Sequence, residues 1–120
     1  MKIAVTSKGT ELDSEIDPRF GRAAYILIVN SDTLDFEVLD NKENINALKG
    51  AGIQAATMIS DKGAEVLLTG FCGPNAFRTL NAVKIDVVAD VNGTIKDAIQ
   101  DFLGGKYKSS KSANVEGHWS

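Results

Sequence analysis

Arg19 and Arg22 enclose Phe20 and Gly21 at the end of the run Asp17-Pro18-Arg19-Phe20-Gly21-Arg22. Two guanidinium groups three residues apart, with a glycine between them to let the chain turn, make a clamp suited to an anion. A second stretch with chemical potential is Gly70-Phe71-Cys72-Gly73-Pro74-Asn75-Ala76. It follows Val66-Leu67-Leu68, an apolar run too short for a helix, and Pro74 suits the first turn of a helix continuing through Ala76, Phe77, Leu80 and Val83. Strand, glycine loop and helix start thus come in succession. Ligands of open α/β sheets settle at such strand ends, and the free amides of a helix start favour anions. The candidate binding residues are Arg19, Phe20, Gly21, Arg22, Gly70, Phe71, Cys72, Gly73, Pro74, Asn75 and Ala76.

Each feature also has a plainer reading. The glycine loop can be a tight strand-to-helix turn, and it lacks both the Gly-Lys-Ser/Thr ending of a phosphate-binding loop and the spacing of a dinucleotide fingerprint, so no nucleotide is expected. Arg19 and Arg22 can be surface charges paired with Asp13, Glu15 or Asp17. Cys72 can be a small buried apolar residue or a thiolate ligand. It is the only cysteine, which excludes an internal disulfide and a four-thiolate metal site within one chain. The only histidine, His118, stands in Gly117-His118-Trp119-Ser120, from where it could close over a metal. Cys72 and His118 are therefore the candidate metal ligands. No Ser/His/Asp set can be assembled, and no enzymatic activity is expected.

The elements that must position these groups follow from periodicity. Lys2–Thr6 reads as a central strand because its apolar residues are consecutive. Residues 7–22 lose all period, and a connection of that length is often functional. Tyr25–Asn30 is a second strand, Asn30-Ser31-Asp32-Thr33 a turn, and Leu34–Val38 an alternating third strand. Leu48, Ala51, Gly52, Ala55, Ala56 and Ile59 recur at helical spacing and are small enough for close packing on the sheet, with Lys62-Gly63 as the stop. After the strand and helix already described, Ile85–Val91 reads as a strand. Thr94 and Asp97 then cap a last helix through Leu103, closed by Gly104-Gly105.

The order β-β-β-α-β-α-β-α predicts a five-stranded mixed sheet with helices on its faces, in a ribonuclease H-like α/β fold. Residues 1–103 form a single domain and 104–120 a flexible tail, since Lys, Ser, Gly and Asn dominate there without an apolar period. A length of 120 residues suits one domain. The net charge of -3 argues against a nucleic-acid binder. No apolar run approaches the roughly 20 residues of a membrane span, and no leader is visible, so the cytoplasm is expected. The fold raises a nuclease reading, but the ends of the first and fourth strands offer threonines where a two-metal nuclease needs converging carboxylates.

Three segments resemble the dinitrogenase iron-molybdenum cofactor biosynthesis family: Arg19-Phe20-Gly21-Arg22-Ala23-Ala24-Tyr25, Gly50-Ala51-Gly52-Ile53-Gln54-Ala55-Ala56, and Thr69-Gly70-Phe71-Cys72-Gly73-Pro74-Asn75-Ala76-Phe77. The resemblance covers about residues 1–103. It implies a ribonuclease H-like fold that binds or carries metal–sulfur clusters and does not turn over a substrate. The small size and Gly-His-Trp ending are most similar to a branch from sulfate-reducing bacteria. That branch implies a mixed molybdenum–copper sulfide cluster and a complex of partners that includes MinD-type ATPases. Such a cluster is anionic and brings its own sulfides, so Arg19, Arg22 and the amides near Gly73 to Ala76 would hold it noncovalently. The alternatives are a regulatory module acting on a partner ATPase and a minor enzyme using Cys72.

Overall fold

Strand β1 (Lys2–Ser7) occupies the middle of a five-stranded sheet in the computed structural model, which describes residues 1–42 and 50–107. Ile3, Ala4 and Val5 are wholly buried because both faces of the sheet are covered there, which accounts for their consecutive placement. β2 (Tyr25–Asn30) pairs antiparallel with β1, and β3 (Phe36–Asp40) antiparallel with β2. β4 (Val66–Leu68) and β5 (Asp86–Val88) extend the other side in parallel, giving the order β3-β2-β1-β4-β5. The expected mixed sheet is what the chain forms.

Helices α1 (Ala51–Asp61) and α2 (Pro74–Ala82) share one face. Their Ala55, Ala56, Ile59, Ala76, Phe77 and Leu80 meet Ala4, Ile26, Ile28, Leu67 and Val87 of the sheet. Helix α3 (Ile95–Leu103) covers the opposite face, where Ile95, Ala98 and Ile99 join Ile3, Val5, Leu27, Leu68 and Val88. Each fully buried Leu or Ile contributes about 2 kcal/mol. An exposed ion pair such as Lys8–Glu15 contributes roughly 0–1 kcal/mol. The two apolar layers, not the surface charges, therefore fix the frame.

Helix ends follow the sequence closely. Gly63 takes a φ of +81° after α1, and the Asp97 amide donates to Thr94 Oγ1 at 3.2 Å to cap α3. The third strand departs from its expected bounds of 34–38. Leu34 sits in the left-handed region (φ 64°) as the last residue of the turn, held by its amide's bond to the Asn30 carbonyl. Pairing therefore runs from Phe36 to Asp40, and the buried residue is Leu39, while Phe36 and Val38 are each 37% exposed. The fifth strand is shorter than 85–91, because Asp90 turns the chain at φ 61°. Leu48 and the stretch 108–120 lie outside the described residues.

Because β2 alone runs opposite to the others, the carboxyl ends of β1, β3, β4 and β5 share one edge with the starts of α1, α2 and α3. The long connection after β1 crosses that edge.

Candidate functional site

At this edge the strands end in buried hydroxyls. Thr6 and Thr69 are both fully buried, and their Oγ1 atoms lie 2.9 Å apart. Thr6 Oγ1 donates to the Asp17 carbonyl at 2.6 Å, so its single proton is committed and Thr69 is the donor of the pair. The Asp17 amide returns a bond to the Thr6 carbonyl at 3.0 Å. The polar ends of β1 and β4 thus hold the arginine loop over the sheet.

The next residues join the arginine loop to the glycine loop. The Phe71 amide donates to the Pro18 carbonyl and the Phe20 amide to the Phe71 carbonyl, a parallel bridge that sets Arg19 beside Phe71. Gly70 is required for this approach, since a Cβ there would lie 2.7 Å from the Pro18 carbonyl oxygen and 2.8 Å from its Cα. The Arg22 amide bonds to the Arg19 carbonyl at 3.3 Å, so the two arginines bracket one tight turn. Gly21 has a φ of +92°, and a Cβ on it would come within 2.9 Å of the Gly52 backbone. This packs the turn against the start of α1. Asn41, fully buried after β3, closes it from below by donating Nδ2 to the carbonyls of Gly21 (3.2 Å) and Ala23 (2.8 Å).

Two helix starts flank the turn, and no side chain caps either. α2 begins from Gly73 in an extended conformation with Pro74 at its first position, and α1 begins from Gly50 at φ 80°. Neither has an acidic residue in its first turn. Their positive dipole ends and unbonded first amides add to the guanidinium charge.

The structure brings Arg19, Gly21, Arg22, Gly70, Phe71, Gly73, Pro74 and Asn75 to one edge, but it gives three of the expected residues places in the core, Ala76 among them at 0% exposed. Phe20 is 1% exposed and belongs to the core with Ala55, Ala76 and Phe77, so it anchors the turn from beneath. Cys72 is also 1% exposed, packed in the same layer, and burial pushes its thiol up from 9.0 to about 12. In this conformation it is a protonated core residue. Phe71 and Asn75, by contrast, are exposed. His118 lies outside the described residues, among which no three His, Cys, Asp or Glu side chains group to hold a metal ion. An open hollow of about 270 Å³, lined by Pro18, Gly70, Phe71, Asp90, Val91 and Asn92, lies beside the loops. Neither arginine lines it, and Asp90 brings it a carboxylate, so it is a poor match for an anion.

The profile of the family described as Dinitrogenase iron-molybdenum cofactor matches residues 1–105. The chain belongs to that family. The apo form of the orange protein from Desulfovibrio gigas is 43% identical, with a TM-score of 0.93 over 95% of this chain and 96% of that one. A putative NifB protein from Thermotoga is 30% identical over 95% of this chain and 98% of that one, with a TM-score of 0.79. A protein of Methanocaldococcus jannaschii is 29% identical over 109 residues, 88% of each chain. All three motifs that resembled the family fall within the matched residues.

Sequence reasoning missed the residues that support the site. Thr6 and Thr69 were visible as hydroxyls ending two buried strands, but nothing local pairs them across the sheet. Asn41 stands as one polar residue between Asp40 and Lys42, with nothing in its type or spacing to tie it to the carbonyls of Gly21 and Ala23. Ala51 and Gly52 read as part of a helix face running from Leu48 to Ile59, and the signal that a helix starts beside the turn was Gly50.

Proposed function

We propose that this chain is a non-enzymatic carrier that holds an anionic metal–sulfur cluster noncovalently on the turn of Arg19 to Arg22. The observation that carries the reading is the backbone bridge that fixes these arginines between two helix starts lacking caps and acidic residues. Guanidinium charge and the amides of two uncapped helix starts stand at the same edge, a donor set suited to an anion. The family description and the likeness to the orange protein support a metal–sulfur cluster as the class of anion.

A mixed molybdenum–copper sulfide cluster is the species we assign. Its metals are already coordinated by sulfide, so the protein need supply no thiolate, which suits a chain whose Cys72 is buried and protonated. Arg19 and Arg22 would balance the charge, the first amides of α2 and α1 would donate to sulfide, and exposed Phe71 would cover an apolar face. The strand order β3-β2-β1-β4-β5 supports a ribonuclease H-like frame on which threonine hydroxyls stand at the strand ends. The cytoplasm as the location and MinD-type ATPases as receiving partners belong to the same proposal and rest on the family resemblance.

The test is reconstitution of the full, metal-free chain with tetrathiomolybdate and copper(I), followed in the visible spectrum. A new saturable chromophore that stays with the protein through gel filtration is expected. Capture of a partner ATPase with no such chromophore would overturn the carrier reading in favour of a regulatory module.

A further inference from the structure

Asp17 stands where an anion site should not want it. Its side chain is 10% exposed while that of Arg19 is 52% exposed, so the carboxylate is the sheltered member of the pair and the guanidinium the one open to a ligand. In the neighbouring Lys8–Glu15 pair both side chains are open to water, at 55% and 72%. Asp17 is held by its backbone at both sides: its amide donates to the Thr6 carbonyl and its carbonyl accepts from Thr6 Oγ1. Its Oδ1 accepts the Arg19 amide at 3.1 Å and lies 3.9 Å from Arg19 Nε. An asparagine would accept the Arg19 amide equally well. What the carboxylate adds is negative charge.

We propose that Asp17 is a positioning residue with two opposed effects, fixing Arg19 over the strand ends while its charge competes with an incoming anion for the guanidinium. This rests on the reading of the turn as an anion site and adds to it a limit on affinity. A carrier must release its cargo, and a built-in counter-charge that retakes Arg19 as the anion departs lowers the cost of release. The carboxylate reaches the guanidinium without rearrangement, because the buried threonine pair keeps its backbone in place.

The experiment compares tetrathiomolybdate affinity of the full chain as wild type, Asp17→Asn and Asp17→Ala, with the Arg19 Nε–H resonance recorded before ligand is added. Asp17→Asn keeps the acceptor and drops the charge, and binds about threefold more tightly, the scale of a partly exposed ion pair. Asp17→Ala drops both, and binds about tenfold more weakly than Asp17→Asn as the turn loses its acceptor. Equal or weaker binding by Asp17→Asn overturns the competition, and equal binding by the two variants overturns the positioning. If wild type binds no tetrathiomolybdate, the cluster reading fails by itself. The Arg19 resonance then decides: a shift in Asp17→Asn supports the contact, and an unmoved signal overturns it. Should Asp17→Ala fail to fold, Asp17→Asn and the resonance decide alone.

Discussion

Helices α2 and α3 begin at the same edge, each directly after a parallel strand, yet their first turns are built oppositely. α3 starts from Thr94, whose hydroxyl accepts the Asp97 amide, and Asp97 adds negative charge where the helix dipole is positive. α2 starts from a glycine, with no capping side chain and no acid in its first turn, and α1 is left in the same state. A cap contributes about 1 kcal/mol and takes a single residue change. Of these three helices, the two that start without one are those beside Arg19 and Arg22. The contrast is that a side chain caps the amides of α3, while those of α1 and α2 have no side-chain cap where the arginine turn abuts them, as the proposed anion site requires.

Removing the cations should break the comparison most completely. Arg19→Ala with Arg22→Ala is expected to lower tetrathiomolybdate affinity about 100-fold, the worth of two charge-assisted contacts, as read by calorimetry. Gly70→Ala attacks the bridge instead: the new Cβ meets Pro18 backbone and pushes the arginine loop away, with about a tenfold loss of affinity and about 2 kcal/mol of stability in urea titration. Asn75→Asp gives α2 the acid that α3 already has. It should weaken anion binding about fivefold while leaving the melting temperature level or higher.

The remaining two changes sharpen the contrast by sparing the site. Thr94→Ala should cost about 1 kcal/mol of stability with no change in anion affinity. Cys72→Ala should likewise leave affinity close to wild type, because the thiol is buried and protonated. Its signature lies in pH dependence. The unfolded chain releases the Cys72 proton near 9.0 and the folded chain holds it to about 12, so wild-type stability falls as pH rises through that window. Cys72→Ala removes that part of the fall, which denaturant titrations at pH 8 and pH 10 would show.

Most of the frame was legible because its signals are local. The consecutive apolar residues of β1 and β4, Gly63 and Gly105 at positive φ after helices, and the Thr94–Asp97 cap each act within a few residues. β3 was misplaced for a physical reason: the alternation of Leu34, Phe36 and Val38 marks one face of a strand but not whether a helix covers it. At this edge Phe36 and Val38 remain exposed, and Leu39 on the other face is the buried residue. The arginines and the glycine loop were legible as chemistry. Their juncture was not, since the Thr6–Thr69 pair spans 63 residues and the Gly21–Gly52 contact depends on how closely α1 packs. Cys72 and Phe20 looked like site residues by position, and burial gives both to the core.

The most direct measurement of the central claim is an amide-resolved NMR titration of the metal-free chain with tetrathiomolybdate, with and without copper(I). The account predicts saturable shifts concentrated at residues 19–22, 50–53 and 70–76, with Thr94 to Asp97 unmoved as the capped control. Shifts confined to residues 108–120, shifts at the start of α3 equal to those at α2, or no saturable change would contradict it.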